Sequence, residues 1–246
     1  MTSLGQVSKK FLLVDAVVWS DAYPTSHPLR DVYHWYARWL DDLPGVSLVR
    51  AVPEDDLARA LDQGLSGVIL SGSPRDAWND DPINEKLCEM IRTCQKRELP
   101  FLGVCYGHQI LARAFGGTVA RHPQGLELGN TSVELTAAGQ SCPLFAAVPS
   151  PLSVLSSHVD AVLRLPESAE LLVRGDHTEV QGFRVGAASF GVQFHPELDP
   201  ETLRFLWNPR RDAWRARVKF DLDQALNELT PAPSAPSILR NFVTRI

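Results

Sequence analysis

Residues 100–117 read PFLGVCYGHQILARAFGG, and the reading of this run decides the fold. Residues 101–104 are apolar and strand-forming, and they lead into Cys105 between Gly103 and Gly107. A helix-forming run follows at once. A buried strand that turns directly into a helix, with small residues two places either side of the junction, is the nucleophile-elbow pattern with cysteine in place of serine. The glycines permit the crowded turn that lifts the side chain above a sheet. The helix beginning after Cys105 directs its positive end at the sulfur, and its first amides are free to donate to an oxyanion. By itself the run also fits a small buried cysteine with no chemistry.

Working outward, the elbow sits in a series of short apolar runs alternating with amphipathic segments. Residues 11–18, 47–52, 67–70 and 101–104 read as strands, and 67–70 (GVIL) is the continuous apolar run of a strand covered on both faces. Between them, residues 31–40 read as a helix capped by Asp31 with Trp35, Tyr36 and Trp39 on its apolar stripe. Residues 53–61 read as a helix opened by proline, and 82–97 as one capped by Asp81. This alternation predicts a three-layer, flavodoxin-like α/β domain with a mostly parallel central sheet. From 128 to 194 the chain changes to short strands (128–135, 153–155, 169–174, 180–185 and 189–194), some of them antiparallel. Helices return at 201–206, 210–229 and 237–244, the last two separated by the proline-rich spacer 231–236.

Composition narrows the function classes. The chain has 246 residues, 44% hydrophobic and 22% charged, enough to bury a full core without a metal or disulfides. Its 24 Lys and Arg against 29 Asp and Glu leave a net charge of −5, which argues against a nucleic-acid partner. No run approaches the ~18–20 apolar residues of a membrane span. The apolar run 11–19 is broken by Asp15 and makes a poor signal peptide. Cys88, Cys94, Cys105 and Cys142 are spaced for neither a disulfide framework nor zinc, so a reduced, cytoplasmic protein is expected.

A cysteine nucleophile needs a base, and the base an orienter. Among seven histidines His195 stands out, in GVQFHPE at 191–197. A strand runs into it and Pro196 ends the pairing. Glu197 projects from the same side two positions on, so its carboxylate can take the Nδ1 proton and leave Nε2 for the thiol.

With both motifs in hand, the chain resembles the class I (triad) glutamine amidotransferases, most of all the glutaminase domain of GMP synthase and its stand-alone relatives. The residues that carry the resemblance are SGSP at 71–74, GVCYGHQ at 103–109, SHVD at 157–160 and GVQFHPE at 191–197, in the family's order, over roughly residues 10–198. The resemblance implies that Cys105 attacks a glutamine side-chain amide to give a γ-glutamyl thioester and ammonia. His195 then serves as acid and base, and Glu197 orients it. It implies an oxyanion hole from the backbone amides of Ser73 and Tyr106, and substrate contacts at Gly72, Gln109, Ser157, His158 and Val159. No cofactor or metal is expected. The small-molecule substrate is glutamine or another γ-glutamyl compound, with a separately encoded synthetase subunit as a possible protein partner.

Two positions depart from the family pattern: Ser73 and Val159 stand where it usually carries glycine. A β-branched residue tolerates positive φ poorly, so the carboxylate end of the pocket is expected to differ in shape, favouring other γ-glutamyl compounds. His158 and Asp160 are expected to order a loop through backbone hydrogen bonds, His108 to pack its helix, and Arg210, Arg211, Arg215, Arg217 and Lys219 to form a solvated helix face. Trp207 and Trp214 are expected to pin the tail. Residues 1–199 are read as the glutaminase domain and 200–246 as a helical extension on the same domain, too short for an ATP-using synthetase. Three functions remain open at this point: a glutaminase serving a synthetase, a stand-alone γ-glutamyl hydrolase, and a non-catalytic relative.

Overall fold

The computed structural model describes residues 8–246; residues 1–7 of the expected first domain lie outside the described residues. Four strands alternate with helices in the first half: β1 (Lys9–Val14), α1 (Val32–Ala37), β2 (Val46–Ala51), α2 (Leu57–Leu61), β3 (Gly67–Leu70), α3 (Pro82–Lys96), β4 (Phe101–Val104) and α4 (Tyr106–Ala114). Strands then dominate: β5 (Thr118–Arg121), β6 (Glu127–Leu135), the short α5 (Ala137–Ser141), β7 (Leu152–His158), β8 (Asp160–Arg164), β9 (Ala169–Gly175), β10 (Gly182–Val185) and β11 (Ser189–Val192). The chain ends in α6 (Pro200–Trp207), α7 (Arg211–Arg215), α8 (Leu222–Asn227) and α9 (Ser237–Arg245).

Nine strands form one sheet in the order β2-β1-β3-β4-β11-β10-β9-β6-β7. From β2 to β11 every pairing is parallel; from β10 onward the sheet continues antiparallel. The expected α/β architecture is present, and the period-2 alternation of strand side chains explains its layers. Phe11, Leu13, Ile69, Leu102 and Val104 enter one core, with residues of α1, α6, α8 and α9. Leu12, Val14, Val68, Leu70 and Phe101 enter the other, with residues of α2, α3 and α4. Both faces are thus covered, which is why all four residues of β3, β4 and β11 are buried.

The structure moves several expected boundaries. β1 ends at Val14, because Asp15 accepts the Val17 amide at 3.0 Å and turns the chain away from the sheet. α2 begins at Leu57: Asp56 caps it through the Arg59 amide, and Pro53 lies in the preceding turn. The single helix expected over 210–229 is two, since Asp221 caps a fresh start at the Gln224 amide. α5 and the antiparallel ribbon of β5 and β8 were not anticipated, their runs being too short to register against the surrounding turns. The caps expected of Asp31 and Asp81 are observed.

Candidate active site

The sharp turn between β4 and α4 is a requirement of atoms that leave no room. A Cβ on Gly103 would stand 2.3 Å from the Gly107 carbonyl oxygen, and one on Gly107 would stand 2.4 Å from that of Leu70. Cys105, between them, takes φ 51° and ψ −100°. A non-glycine residue there costs roughly 1–3 kcal/mol, a strain held in place by the surrounding packing. Tyr106 follows as the first residue of α4, so its amide has no carbonyl four residues earlier within the helix. The Tyr106 phenol donates to Asn84 of α3, which anchors the start of the helix.

His195 follows β11, the strand paired with β4, and its ring therefore arrives beside Cys105. Gly72 touches both: a Cβ there would stand 3.0 Å from His195 Cε1 and 3.6 Å from Cys105 Cβ. Nδ1 of His195 lies 2.7 Å from Glu197 Oε1. Burial alone would depress the imidazole, but the Glu197 charge and the Cys105 sulfur outweigh it and hold His195 well above the ordinary histidine range. The Glu197 segment is fastened by Arg38 and the Trp39 indole, which donate to the Glu197 carbonyl at 2.7 and 3.0 Å. Arg38 also pairs with Asp199 at 2.5 Å.

The loops beyond β1 and β3 are tied together at this end of the sheet. The Ser71 hydroxyl accepts the Ala16 amide and donates to the Gly72 carbonyl, both at 2.9 Å. Ser73 Oγ accepts the Arg75 amide at 3.1 Å. Two cavities meet at Cys105, and Ser73, Pro74, Ser157 and Arg210 border both. The larger, about 230 Å³, extends past Gln109, Val159, Asp160 and Trp214. The smaller, about 70 Å³, contains the His195 and Glu197 side of the site.

A family model described as glutamine amidotransferase class-I matches residues 42–205. The chain belongs to the class-I glutamine amidotransferases. It is 36% identical over 140 residues to γ-glutamyl peptidase 3 of Arabidopsis thaliana, a match covering 56% of each chain. It is 39% identical over 166 residues to GMP synthase [glutamine-hydrolyzing] of Aeropyrum pernix, covering 67% of this chain and 30% of that one. The matches thus span about half the peptidase and less than a third of the synthase. A crystal structure of a glutamine amidotransferase from Thermotoga maritima has the same fold, with TM-score 0.73 at 24% identity and 98% of each chain covered.

In this member of the family the motif positions gather around Cys105. Gln109 donates its side-chain amide to the Asp160 carbonyl at 2.7 Å and to Gln193 at 3.2 Å, lining the larger cavity. The Ser157 carbonyl lies 3.9 Å from the Cys105 sulfur. His158 bonds the Asp160 carbonyl as expected, but its other nitrogen pairs with buried Glu127 at 2.7 Å. Neither Ser73 nor Val159 needs positive φ; among described non-glycine residues only Glu98, Cys105 and Ala147 have it. The two departures from glycine are accommodated without backbone strain. His108 packs its helix, edge-on to Phe183 at 4.8 Å, and burial pushes it down to about 3.

Part of the pocket wall carries no signal in the sequence. Arg210, Trp207 and Trp214 border the larger cavity, rather than serving only as a solvated face and tail pins. Trp207 donates to Ser157 Oγ at 2.8 Å and meets Trp214 edge-on at 5.8 Å. The solvated-face expectation holds for Arg215, which pairs with Asp212 and Asp223 on the exposed side. Opposite, the β5–β8 register places Arg121 against Asp160 and brings both to the cavity. Trp78 donates to the Asp160 carboxylate at 3.0 Å. Burial and the nearby Asp76 charge hold that carboxyl above the usual range, against the Trp78 bond. No local pattern announces Arg121: its role depends on a ribbon pairing across some forty residues.

Proposed function

We propose that this chain hydrolyses γ-glutamyl amides, glutamine being the simplest, with Cys105 as nucleophile, His195 as proton carrier and Glu197 as its orienter. The observation that carries this is the juxtaposition of a strained elbow cysteine with a histidine whose Nδ1 is taken up by Glu197. The proton shared by the Cys105–His195 pair rests on His195, held there by Glu197, and as the Cys105 sulfur bonds to the amide carbon the backbone amides of Ser73 and Tyr106 donate to the developing oxyanion. The carbon–nitrogen bond breaks as His195 returns that proton to the leaving amine. Water then adds to the thioester, its proton passing to His195, releasing glutamate.

The γ-glutamyl group occupies the larger cavity. Gln109, Ser157, His158 and Val159 bind it, with Gly72 at the scissile amide beside Cys105 and His195, and with the Asp160 carboxylate and Arg121 offering opposite charges to its amino and carboxylate groups. Of the described residues, 8–199 form the catalytic domain and 200–246 a packed extension of it, a reading supported by the shared core of Leu13, Leu203 and Phe242. A reduced, cytoplasmic setting belongs to the same reading.

A second reading, a glutaminase that hands ammonia to a separate synthetase subunit, is favoured by the likeness to GMP synthases. Steady-state kinetics on glutamine and γ-glutamyl peptides with the purified chain separate the two. Unaided turnover supports the free hydrolase; activity appearing only on addition of a synthetase supports the subunit. Under either, Cys105→Ala should lower the rate by about 10⁴-fold or more. A γ-glutamyl adduct on Cys105 should also be visible by mass spectrometry after acid quench. Retained turnover in Cys105→Ala would overturn the mechanism.

A further inference from the structure

The smaller cavity lies on the side of Cys105 that faces His195, while the larger one holds Gln109, Val159 and Asp160 and does not include His195. The leaving nitrogen must come within reach of the histidine that protonates it. A γ-glutamyl amide bound across Cys105 therefore projects its leaving group into the His195 side. That space is larger than ammonia requires. Its 70 Å³ exceeds the ~10–15 Å³ that a single water-sized group needs, so a leaving group larger than ammonia fits there.

Its lining has a definite chemistry. Val17, Trp35 and Leu206 supply an apolar wall, and Arg210 stands at the border with the larger cavity. Unlike Arg211 and Arg215, which pair with Asp223, Arg210 has no carboxylate within 4.0 Å among the described residues. It is half-buried, with its guanidinium 6.0 Å over the Tyr23 ring.

The walls are braced rather than loose. The Asp15 turn presents Val17, the Trp35 indole donates to the Leu29 carbonyl at 3.0 Å, and Tyr23 donates to the Leu206 carbonyl at 2.6 Å. Phe205 packs against Tyr23 and His27 with ring centres 5.5 and 4.3 Å apart. The segment bearing Leu206 and Arg210 is thus locked onto the loop after β1.

We propose that this cavity is a leaving-group subsite for a small apolar α-amino acid, so that the preferred substrates are γ-glutamyl dipeptides of the γ-glutamylalanine class. The side chain rests on Val17, Trp35 and Leu206, and the carboxylate pairs with Arg210. This rests on the hydrolytic chemistry assigned to Cys105 above. The sulfur bonds to the γ-carbonyl carbon, the carbon–nitrogen bond breaks, and the free amino acid leaves with the proton from His195. Water completes the cycle to glutamate.

The test compares kcat/KM of wild type, Arg210→Ala and Arg210→Lys on glutamine, γ-glutamylethylamide, γ-glutamylalanine and γ-glutamyltryptophan. Wild type is expected to prefer γ-glutamylalanine over the ethylamide, which lacks the carboxylate, and over the tryptophan conjugate, which overfills the cavity. Arg210→Ala should lower kcat/KM on γ-glutamylalanine by about 10- to 100-fold, the range for losing a charge-assisted hydrogen bond. The loss should fall mainly on KM, with part restored by lysine. Glutamine and the ethylamide should change less than about 3-fold. An equal loss on all substrates would assign Arg210 to the γ-glutamyl group and overturn the proposal. So would turnover of glutamine with none of γ-glutamylalanine, which leaves the Cys105 chemistry standing. No turnover of any of the four by the chain alone overturns the free-hydrolase reading and this proposal with it.

Discussion

Glu197 exerts its effect through a single oxygen. Its Oε1 holds Nδ1 of His195, and its charge, with the Cys105 sulfur, overcomes the burial that would otherwise strip the ring of its proton. The sign of the consequence follows. A carboxylate beside the ring favours imidazolium, so removing its charge lowers the pH at which His195 deprotonates. If the protonated ring is the donor to the leaving amine, activity is lost as pH rises through that value. Glu197→Gln should therefore shift the alkaline limb of the kcat/KM–pH profile to lower pH and reduce the rate at neutral pH by about 10²- to 10⁴-fold. An unmoved limb would mean that another group sets it. The Cys105, His195 and Glu197 positions were legible because their motifs are local: an elbow needs its glycines within two places, and an i, i+2 pair in extended chain shares a side. Arg210, Trp214 and Arg121 were not legible, because nothing in their immediate sequence encodes which cavity they border.

At the scale of elements, the decisive contact is α4 seated directly on β3 and β4. Gly107 allows it, since a methyl there would stand 2.4 Å from the Leu70 carbonyl oxygen and lift the helix from the sheet. Backbone cannot give way as a flexible side chain can. Gly107→Ala should destabilise the protein by about 1–3 kcal/mol, seen as a lower urea midpoint, and should cost activity in the fraction that folds, because Tyr106 and its amide move with the helix. An unchanged midpoint would show that the elbow has slack. Helix positions were readable where polar caps and apolar periodicity agree, as at Asp81 and α3. At 210–229 one helix was expected, and the Asp221 cap makes two.

At the scale of the whole molecule, α9 is fastened to the first strand. Phe242 is fully buried, with its ring 5.8 Å from that of Phe11, and Asn241 donates to the Leu144 and Ala146 carbonyls. The tail thereby joins the same core as β1 while α6 walls the cavity beside His195. Wild type should unfold in one cooperative transition, and Phe242→Ala should lower its stability by about 3–5 kcal/mol. An early, separate melting of the tail would contradict the shared core. Composition, strand–helix alternation and the GVCYGHQ and GVQFHPE runs by themselves determined the α/β class, the elbow cysteine and its candidate partners, because each depends on residues a few places apart. Only the tertiary structure decided what surrounds them. β11 pairs with β4 and so carries His195 to Cys105; the β5–β8 ribbon sets Arg121 against Asp160; and the loop after β1 closes with α6 on a second cavity beside His195. These are contacts between segments far apart in the chain, and they follow from which apolar faces find one another in the core rather than from any local pattern.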